Sequence, residues 1–367
     1  MQEINSNIPI GLNRIQDITS KTQKELDELM NSVDAPAFRA KQIYKWIQSG
    51  ATIDEMTNVP LALREDLKVY PFGGATIIET LISKKDGTKK FIFELDDGEI
   101  VEGVLMHYEY GNTLCVSTQV GCNMHCSFCA STINGRVRNM TAGEILSCVT
   151  RVNRVYAPEE KCERGVTNVV LMGSGEPLDN YENVLRFLQN VSAPGGINIS
   201  PRNISLSTCG IVERMHDLAI DAPHVTLSVS LHAPNDEIRK RIMPIANRYT
   251  MNEVLYGANN YAKVTGRRVI FEYALIDGVN ASYENAMELA SRLRRINCHV
   301  NLIPLNPIKG NPLSGVTREY ADEFAKWLTN KGVSATIRRE MGADIEGACG
   351  QLRRKRIAEK GGVRDGL

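Results

Sequence analysis

Six strand-like stretches, each followed by a segment long enough for a helix, constrain the fold of this chain more than any other feature. The stretches are residues 113–117, 166–172, 203–208, 224–231, 268–276 and 299–305. Connections of this length allow the chain to cross over, so the strands are expected to run parallel in one sheet. Residues 333–338 predict a further short edge strand. A closed barrel needs eight such units, so the sequence predicts an α/β fold with an incomplete (β/α)6 barrel.

The chain divides into four predicted parts. Residues 1–72 have helical apolar spacing, residues 73–107 alternate like a small antiparallel extension, residues 108–345 form the barrel, and residues 346–367 form a loop and a basic tail. Within 35–47 the spacing predicts one helix face with Phe38, Ile43, Trp46 and Ile47, and an opposite face with Arg39, Lys41 and Lys45. Such a basic face is usually solvated, but basic residues among aromatic ones also suit an RNA-binding accessory domain.

Three cysteines lie on one short loop after the first predicted barrel strand. Cys122, Cys126 and Cys129 are spaced C-x3-C-x2-C, and thiolates are soft metal ligands. Three of them can hold three irons of a cubane iron–sulfur cluster and leave the fourth iron open for chemistry. Two alternatives remain: a zinc site completed by His125, or packed thiols without a metal.

Charge balance, cysteine content and hydrophobicity indicate what kind of protein the chain is. The 43 basic residues balance 43 acidic ones, so any contact with nucleic acid must come from local patches. Nine cysteines without a disulfide-like framework indicate a reducing cytosol. The start of the chain does not resemble a signal peptide, and no apolar run is long enough to span a membrane, so a cytoplasmic protein without a membrane segment is expected.

Small and polar residues end the predicted barrel strands, where α/β folds place their active sites. Gly175 and Glu176 offer a close backbone approach and a carboxylate for an ammonium group. The other strand-end residues are Ser207, Ser230, Leu231, His232 and Asn306. Each polar residue alone could merely cap the next helix.

Two further residues are candidates for chemistry. Cys349 lies among small residues and near Arg338, Arg339 and Arg353, a cationic setting that would favour its thiolate, although such a cysteine is more often simply packed. Glu102 lies between apolar neighbours, and strand alternation alone could turn it to water. Four lysines, at positions 84, 85, 89 and 90, flank one turn of the antiparallel region.

The cysteine loop resembles the cluster motif of the radical S-adenosylmethionine (radical SAM) enzymes. Over nearly the whole chain the sequence resembles one of their families, the RlmN/Cfr methyltransferases of ribosomal RNA. The matching segments are Phe38-Arg39-Ala40-Lys41-Gln42, residues 114–122 and Ala348-Cys349-Gly350-Gln351-Leu352. Gly175-Glu176-Pro177-Leu178 is similar to the C2-methylating branch, whereas Ser174 departs from the methionine that many members have.

The resemblance implies a [4Fe–4S] cluster on Cys122, Cys126 and Cys129, shielded by Phe128, and two SAM molecules per turnover. It assigns SAM binding to the strand-end residues from Gly175 to Asn306 named above. It makes Cys349 the methyl carrier and Glu102 the proton acceptor. Cys115 would release the product by forming a disulfide with Cys349.

The implied substrate is C2 of one adenine in the peptidyl-transferase centre of 23S rRNA (adenine 2503), with adenine 37 of the tRNA anticodon loop as a further substrate. The implied partners are an external electron donor such as flavodoxin or ferredoxin, and a thiol reductant for the disulfide. The enzyme is expected to be a monomer. Three alternatives remain open: a C8-methylating enzyme of the same family, a radical SAM activase of a partner protein, and an RNA-binding protein stabilised by a cluster or zinc.

Overall fold

The amino-terminal part of the molecule is helical, as the sequence predicts. The computed structural model describes residues 17–159, 164–306, 308 and 310–345. It begins with α1 (Gln23–Ser32), α2 (Phe38–Gln48) and α3 (Leu61–Leu67). Thr22 and Glu25 form a capping box that starts α1, in which each side chain accepts a hydrogen bond from the backbone N–H of the other residue.

Helix α2 buries Ile43 and Ile47 as predicted, and Trp46 is partly buried, but Phe38 is not on the buried face. Ala40, Ile43, Tyr44 and Ile47 are buried, whereas Phe38 is 57% exposed. Phe38 and Ile43 are five residues apart, which places them about 140° apart around a helix of 3.6 residues per turn. The prediction that Phe38 shares the buried face is therefore wrong, and an aromatic ring is left beside the basic face.

Three antiparallel strands follow, with turns at Gly87 and Gly98 as predicted. They are β1 (Ala75–Ile82), β2 (Lys89–Leu95) and β3 (Ile100–Tyr108). They do not form a small sheet of their own, because a tight turn after β3 leads into β4 (Gly111–Cys115), which pairs antiparallel with it. On its other edge β4 pairs parallel with the barrel strands, so the antiparallel region extends the barrel sheet.

The rest of the described chain alternates strands and helices. A two-stranded ribbon of β5 (Gln119–Gly121) and β6 (Arg136–Asn139) flanks the cysteine loop. In chain order there follow α4 (Ala142–Glu159), β7 (Asn168–Leu171), α5 (Tyr181–Ser192), β8 (Ile204–Thr208), α6 (Val212–Asp221), β9 (Thr226–Ser230), α7 (Asp236–Ile242), α8 (Met251–Thr265), β10 (Val269–Leu275), α9 (Tyr283–Leu293), β11 (Cys298–Pro304), α10 (Arg318–Asn330) and β12 (Ala335–Ile337).

The main sheet has ten strands in the order β1-β2-β3-β4-β7-β8-β9-β10-β11-β12. The six strands from β4 and β7 to β11 are parallel neighbours, which confirms the predicted incomplete barrel of six units. The short edge strand is confirmed as well, since β12 pairs parallel with β11. Among the described residues, no helix is both long and apolar enough to cross a membrane.

One hydrophobic core connects the amino-terminal helices to the barrel. It runs from Ile18 and the buried face of α2 to Leu328 and Val333 at the end of the barrel. Polar contacts reinforce this junction: the Gly143 N–H donates to Ser20 Oγ at 2.7 Å, and Arg154 binds the Glu55 carboxylate through both of its terminal nitrogens. Helices α1 and α2 therefore pack directly on the outer layer of the barrel.

The segment after β12 returns to the opposite end of the sheet. The Gly342 N–H donates to Asp86 Oδ2 at 2.8 Å, and Asp344 accepts hydrogen bonds from the Ser83 hydroxyl and the Lys84 N–H at 2.6 and 2.9 Å. We refer to these five residues as the clasp. Because residues 83–86 belong to the turn between β1 and β2, the sheet curves far enough to bring its two ends together.

Candidate active site

Glu102, Lys90 and Cys115 lie on one face of three neighbouring strands. In the registers of β2, β3 and β4, Val104 is opposite both Lys90 and Cys115. Glu102 is two residues before Val104 and therefore projects from the same face, as a diagonal neighbour of both. Phe91, Phe93 and Val101, which alternate with these residues, belong to the core under the helices. Glu102 and Cys115 therefore face the inside of the barrel.

Lys90 does not lie at the surface with the other lysines of its turn. Its side chain is completely buried, and its Nζ lies 3.1 Å from Glu102 Oε2. Lys84 and Lys85 are exposed and can reach a polyanion, but Lys90 cannot. The group of four lysines read from the sequence is thus divided between two environments.

The three loop cysteines are held by hydrogen bonds from neighbouring segments. The Cys122 N–H donates to the Gly135 carbonyl at 3.2 Å, and the Ser127 N–H donates to the Ile242 carbonyl of α7 at 2.9 Å. Gly121 has a φ of +78°, and a Cβ there would lie 1.9 Å from the Gly135 oxygen. Only glycine therefore allows β5 and the end of the loop to approach so closely.

The thiols of this loop are close enough to influence one another. Burial raises the pKa of Cys122 to about 12, and the neighbouring Cys129 contributes to this shift. The pKa of Cys126 is raised by burial and then by Cys129 and Cys122. Without a metal these groups would be thiols, so a cation that binds the thiolates would offset a large electrostatic cost.

The cysteine loop supplies donors of the kind that an iron–sulfur cluster binds. Cys122 is buried, and Cys126 and Cys129 are partly buried on the same loop. In a cubane each of three cysteines binds a different iron, so three thiolates on one loop suit such a cluster.

The loop after β7 approaches the start of the cysteine loop without intervening side chains. A Cβ on Gly173 would lie 2.7 Å from Ser117 Oγ, and a Cβ on Gly175, whose φ is +105°, would lie 2.6 Å from Gln119 Cβ. The Thr118 N–H donates to the Ser174 carbonyl at 2.9 Å. Both glycines are therefore required by the packing of two backbone segments.

Glu176 is a buried carboxylate that organises the ends of two strands. Its Oε1 accepts from the Leu178 N–H at 3.0 Å and its Oε2 from the Cys209 N–H at 2.7 Å. Burial raises the pKa of Glu176, while these hydrogen bonds oppose the shift. Each carboxylate oxygen has a second lone pair, so the group can still accept from an ammonium ligand.

The ends of β8 and β9 bring the next candidates together. Ser207 Oγ and Ser230 Oγ lie 3.4 Å apart. The N–H groups of Leu231 and His232 both donate to the Glu272 carbonyl of β10, and Leu231 is fully buried. His232 has a φ of +54°, and its Nδ1 accepts from the Ala274 N–H at 2.8 Å.

Phe128 connects the cysteine loop to these strand ends. Its ring meets the His232 ring edge to face, with centroids 4.7 Å apart. It also packs in a small apolar cluster that contains Cys126, Cys209 and Ile276. This position is compatible with the predicted shielding of a cluster from water.

The remaining candidates are Asn306, Cys349 and Cys115. Asn306 follows β11 and is exposed, while Cys349 lies outside the described residues, as does the proposed Cys115–Cys349 disulfide. Cys115 ends β4 and is buried; burial raises the pKa of its thiol, and the charge of Arg338 opposes this shift. Cys148 and Cys209 are buried, Cys298 is partly buried, and Cys162 lies outside the described residues.

Arg239 is a buried cation of the site that the sequence pattern did not reveal. Its side chain is fully buried, and it donates to the carbonyls of Cys209, Leu231 and Ser230 at 2.6, 3.3 and 3.4 Å. In sequence it belongs to Arg239-Lys240-Arg241, which looks like a solvated charge run. The sequence signal that could have identified it is its position in α7, the helix that follows the strand end with His232.

Comparison with known proteins gives the family. Residues 116–290 match the family model described as the radical SAM superfamily, whose members use a [4Fe–4S] cluster and SAM. Residues 16–70 match the model described as the ribosomal RNA large subunit methyltransferase N-terminal domain.

Relatives and solved structures agree with these models over almost the full length. A probable dual-specificity RNA methyltransferase RlmN from Clostridium novyi is 48% identical over 94% of this chain and 99% of its own. One from Desulforamulus reducens is 47% identical over 91% and 94%. The crystal structure of a radical SAM methyltransferase from Sphaerobacter thermophilus has a TM-score of 0.87 at 42% identity, covering 92% of this chain and 98% of the other. The chain therefore belongs to the RlmN family of radical SAM RNA methyltransferases.

Proposed function

We propose that this enzyme methylates C2 of an adenine in the peptidyl-transferase centre of 23S rRNA, and C2 of an anticodon-loop adenine in tRNA. The observation that carries the proposal is the placement of Glu102 beside Cys115 on the inner face of the barrel. Diagonal neighbours on one face of an antiparallel pair are about 7–8 Å apart, so both side chains can reach one flipped base. Adenine C2 is not nucleophilic and cannot take a methyl group by simple displacement.

The cofactors supply the radical chemistry that this carbon requires. When bound, the cluster and SAM provide a radical able to remove hydrogen from a methyl group. In this proposal Cys122, Cys126 and Cys129 hold the cluster. Gly175 and Glu176 hold the amino end of SAM, and the other SAM contacts come from Ser207, Ser230, Leu231, His232 and Asn306.

Three residues act on the methyl group and the base. Cys349 accepts a methyl group from a first SAM by displacement and carries it as a thioether. Once the methylene carbon has joined C2, the adduct gives one electron back to the redox system that supplied it and Glu102 accepts the C2 proton. The Cys115 thiolate then attacks the Cys349 sulfur, the carbon–sulfur bond breaks, and the released methylene takes up a proton to become the methyl group, which frees the RNA and leaves a disulfide. A second SAM serves the radical step, so each turnover uses two.

The amino-terminal helices are proposed to bind RNA. Phe38, Lys41, Lys45, Trp46, Gln42 and Asn58 line an open cleft of about 550 Å³ on this part of the molecule. The Trp46 Nε1–H donates to Asn58 Oδ1 at 2.7 Å, which fixes the plane of the ring. Two lysines beside fixed aromatic rings suit a single-stranded segment, with phosphates on the lysines and a base on a ring.

The remaining assignments are part of the same proposal. The bounds 1–72, 73–107, 108–345 and 346–367 serve as functional divisions of RNA binding, sheet extension, catalysis and methyl transfer. The enzyme would act as a monomer in the cytoplasm. It would need an electron donor such as flavodoxin or ferredoxin, and a thiol reductant to reopen the disulfide.

The decisive experiment identifies the methylated atom. Reconstituted enzyme is incubated without oxygen with a ribosomal RNA fragment, a reductant and methyl-labelled SAM, and the digested nucleosides are compared with 2-methyladenosine and 8-methyladenosine standards. We expect 2-methyladenosine. An 8-methyl product would assign the enzyme to the C8-methylating branch.

A variant of the carrier cysteine tests the two-step route. Cys349→Ala should still cleave SAM reductively but leave the RNA unmethylated, because the methyl carrier is missing. Retained methylation would contradict the proposal. Spectra of the anaerobic protein, in the visible range and by electron paramagnetic resonance, report independently on the cluster.

A further inference from the structure

We propose that Lys90 is a positioning residue for catalysis that holds the Glu102 carboxylate directed at the target base. The inference deepens the function proposed above and rests on Glu102 as the proton acceptor. Lys90 touches neither cluster, SAM nor base in this assignment, and it acts only through the carboxylate. Its ammonium lies 3.1 Å from Glu102 Oε2.

The burial of the pair indicates a function for it, because burying two charged side chains costs free energy. The Lys90 side chain is 0% exposed and the Glu102 side chain 10%. Lysine is almost never fully buried unless it is paired, because the loss of hydration exceeds what most contacts return. An apolar residue at position 90 would avoid that cost, as Ile92 does two residues later on the same face.

The geometry also fixes Glu102 from two sides. The two residues come from neighbouring antiparallel strands and are fixed at both backbones: Lys90 pairs with Val104, and Ile92 with Glu102. On the other side, the Ser117 hydroxyl donates to the Glu102 carbonyl at 3.0 Å and accepts from the Ser174 N–H at 3.0 Å. Glu102 is thus tied to Lys90 through its side chain, and to the loop beside Glu176 through its backbone.

Proton transfer explains why a fixed carboxylate matters. The radical formed when the carrier methylene joins C2 must lose one electron, which goes back to the redox system that supplied it, and the C2–H proton, which the Glu102 carboxylate accepts; this restores the aromatic ring with the methylene bridging C2 and the Cys349 sulfur. The Cys115 thiolate can then attack that sulfur, the carbon–sulfur bond breaks, and the released methylene takes up a proton to become the methyl group. A carboxylate that is turned away from C2 cannot accept the C2–H proton. The covalent enzyme–RNA species then persists.

The experiment compares Lys90→Met, Lys90→Arg and Glu102→Gln with the unchanged enzyme, using full-length reconstituted protein and labelled RNA. Denaturing gels measure the covalent enzyme–RNA species and its rate of decay, and mass spectrometry measures the first methylation of Cys349. General bases contribute about 10²–10⁴-fold, so we expect roughly 100-fold slower release in Glu102→Gln. We expect about tenfold slower release in Lys90→Met, with unchanged methylation of Cys349. Lys326→Met, the same change on the exposed face of α10, should release RNA normally.

The double variant distinguishes positioning from structural damage. If Lys90 acts through Glu102, adding Lys90→Met to Glu102→Gln should not slow release further. An additional loss, an equal loss in the methylation of Cys349, or equal release rates for Lys90→Met and Lys90→Arg would overturn the proposal for Lys90. A normal rate of RNA release by Glu102→Gln alone would instead overturn the assignment of Glu102 as the proton acceptor.

Discussion

Arg239 shows at the scale of one residue how a buried charge organises the site. Its guanidinium donates hydrogen bonds to the carbonyls of Cys209 and Leu231, which follow the ends of β8 and β9. Replacing it by methionine should lower the free energy of unfolding by about 3 kcal/mol, since several buried acceptors lose their charged donor. The affinity of this variant for SAM, measured by equilibrium dialysis, should also fall. Arg241→Met, on the exposed side of the same helix, should change stability by less than about 0.5 kcal/mol. Equal losses would contradict this role.

His232 makes a prediction about pH. Burial, and next the charge of Arg239, lower its pKa to about 3, below the ordinary value of 6.5. Between these values the unfolded chain binds a proton that the folded chain does not, so stability should fall as the pH decreases from 6.5 towards 3. His232→Asn retains an acceptor for the Ala274 N–H but cannot titrate. Anaerobic urea unfolding between pH 4 and 6 should show a slope about 1.4 kcal/mol per pH unit shallower in the variant. If the unfolding free energies of the two proteins changed in parallel with pH, His232 would be protonated in the folded state.

At the scale of elements, the clasp determines where the carboxyl-terminal segment leaves the barrel. Asp344, five residues before Cys349, binds the turn between β1 and β2. Strand β2 carries Lys90, and β3, which pairs with β2, carries Glu102. Asp344→Ala should therefore lower the rate of RNA methylation about tenfold. SAM cleavage in the absence of RNA should be unchanged, because the cysteine loop is untouched. Asp322→Ala, which removes a longer ion pair on α10, is the control. An unchanged methylation rate in Asp344→Ala would show that the clasp does not guide Cys349.

The elements also show what the sequence could and could not reveal. Strands β8 and β10 lie within two residues of their predicted bounds, because buried parallel strands are short apolar runs between helices. The burial of Lys90 could not be predicted, because alternation along a strand does not distinguish the inner face of a curved sheet from a face in solvent. The pairing of β3 with β4 was likewise missed, since a one-sided alternating strand does not reveal its partner. The motifs single out the candidate residues from the sequence alone, whereas the burial of Lys90 and Arg239 is visible only in the fold.

At the scale of the whole molecule, the continuous core predicts that the two ends of the chain unfold together. Gln48 of α2 accepts from the Ile197 N–H at 3.1 Å, and Arg186 of α5 pairs with Glu25 of α1 at 2.5 Å. These contacts cross the junction that the apolar core already spans. A separately folding RNA-binding unit would instead expose Ile43, Tyr44 and Ile47 whenever it detached. The amino-terminal helices thus contribute to the stability of the barrel, in addition to their proposed role in RNA binding.

The two tryptophans of the chain make this prediction measurable. Trp46 lies in α2 beside the proposed RNA cleft, and Trp327 lies in α10 against Tyr283, with ring centroids 5.3 Å apart. Trp46→Phe and Trp327→Phe each leave one fluorescent reporter, at opposite ends of the described chain. Because one core joins both sites, urea unfolding should give coincident midpoints and slopes, as two-state behaviour requires. A lower midpoint for the Trp46 reporter would mean that the amino-terminal helices fold as an independent domain. RNA contacts made by Lys41 and Lys45 would then have little influence on the geometry of the barrel.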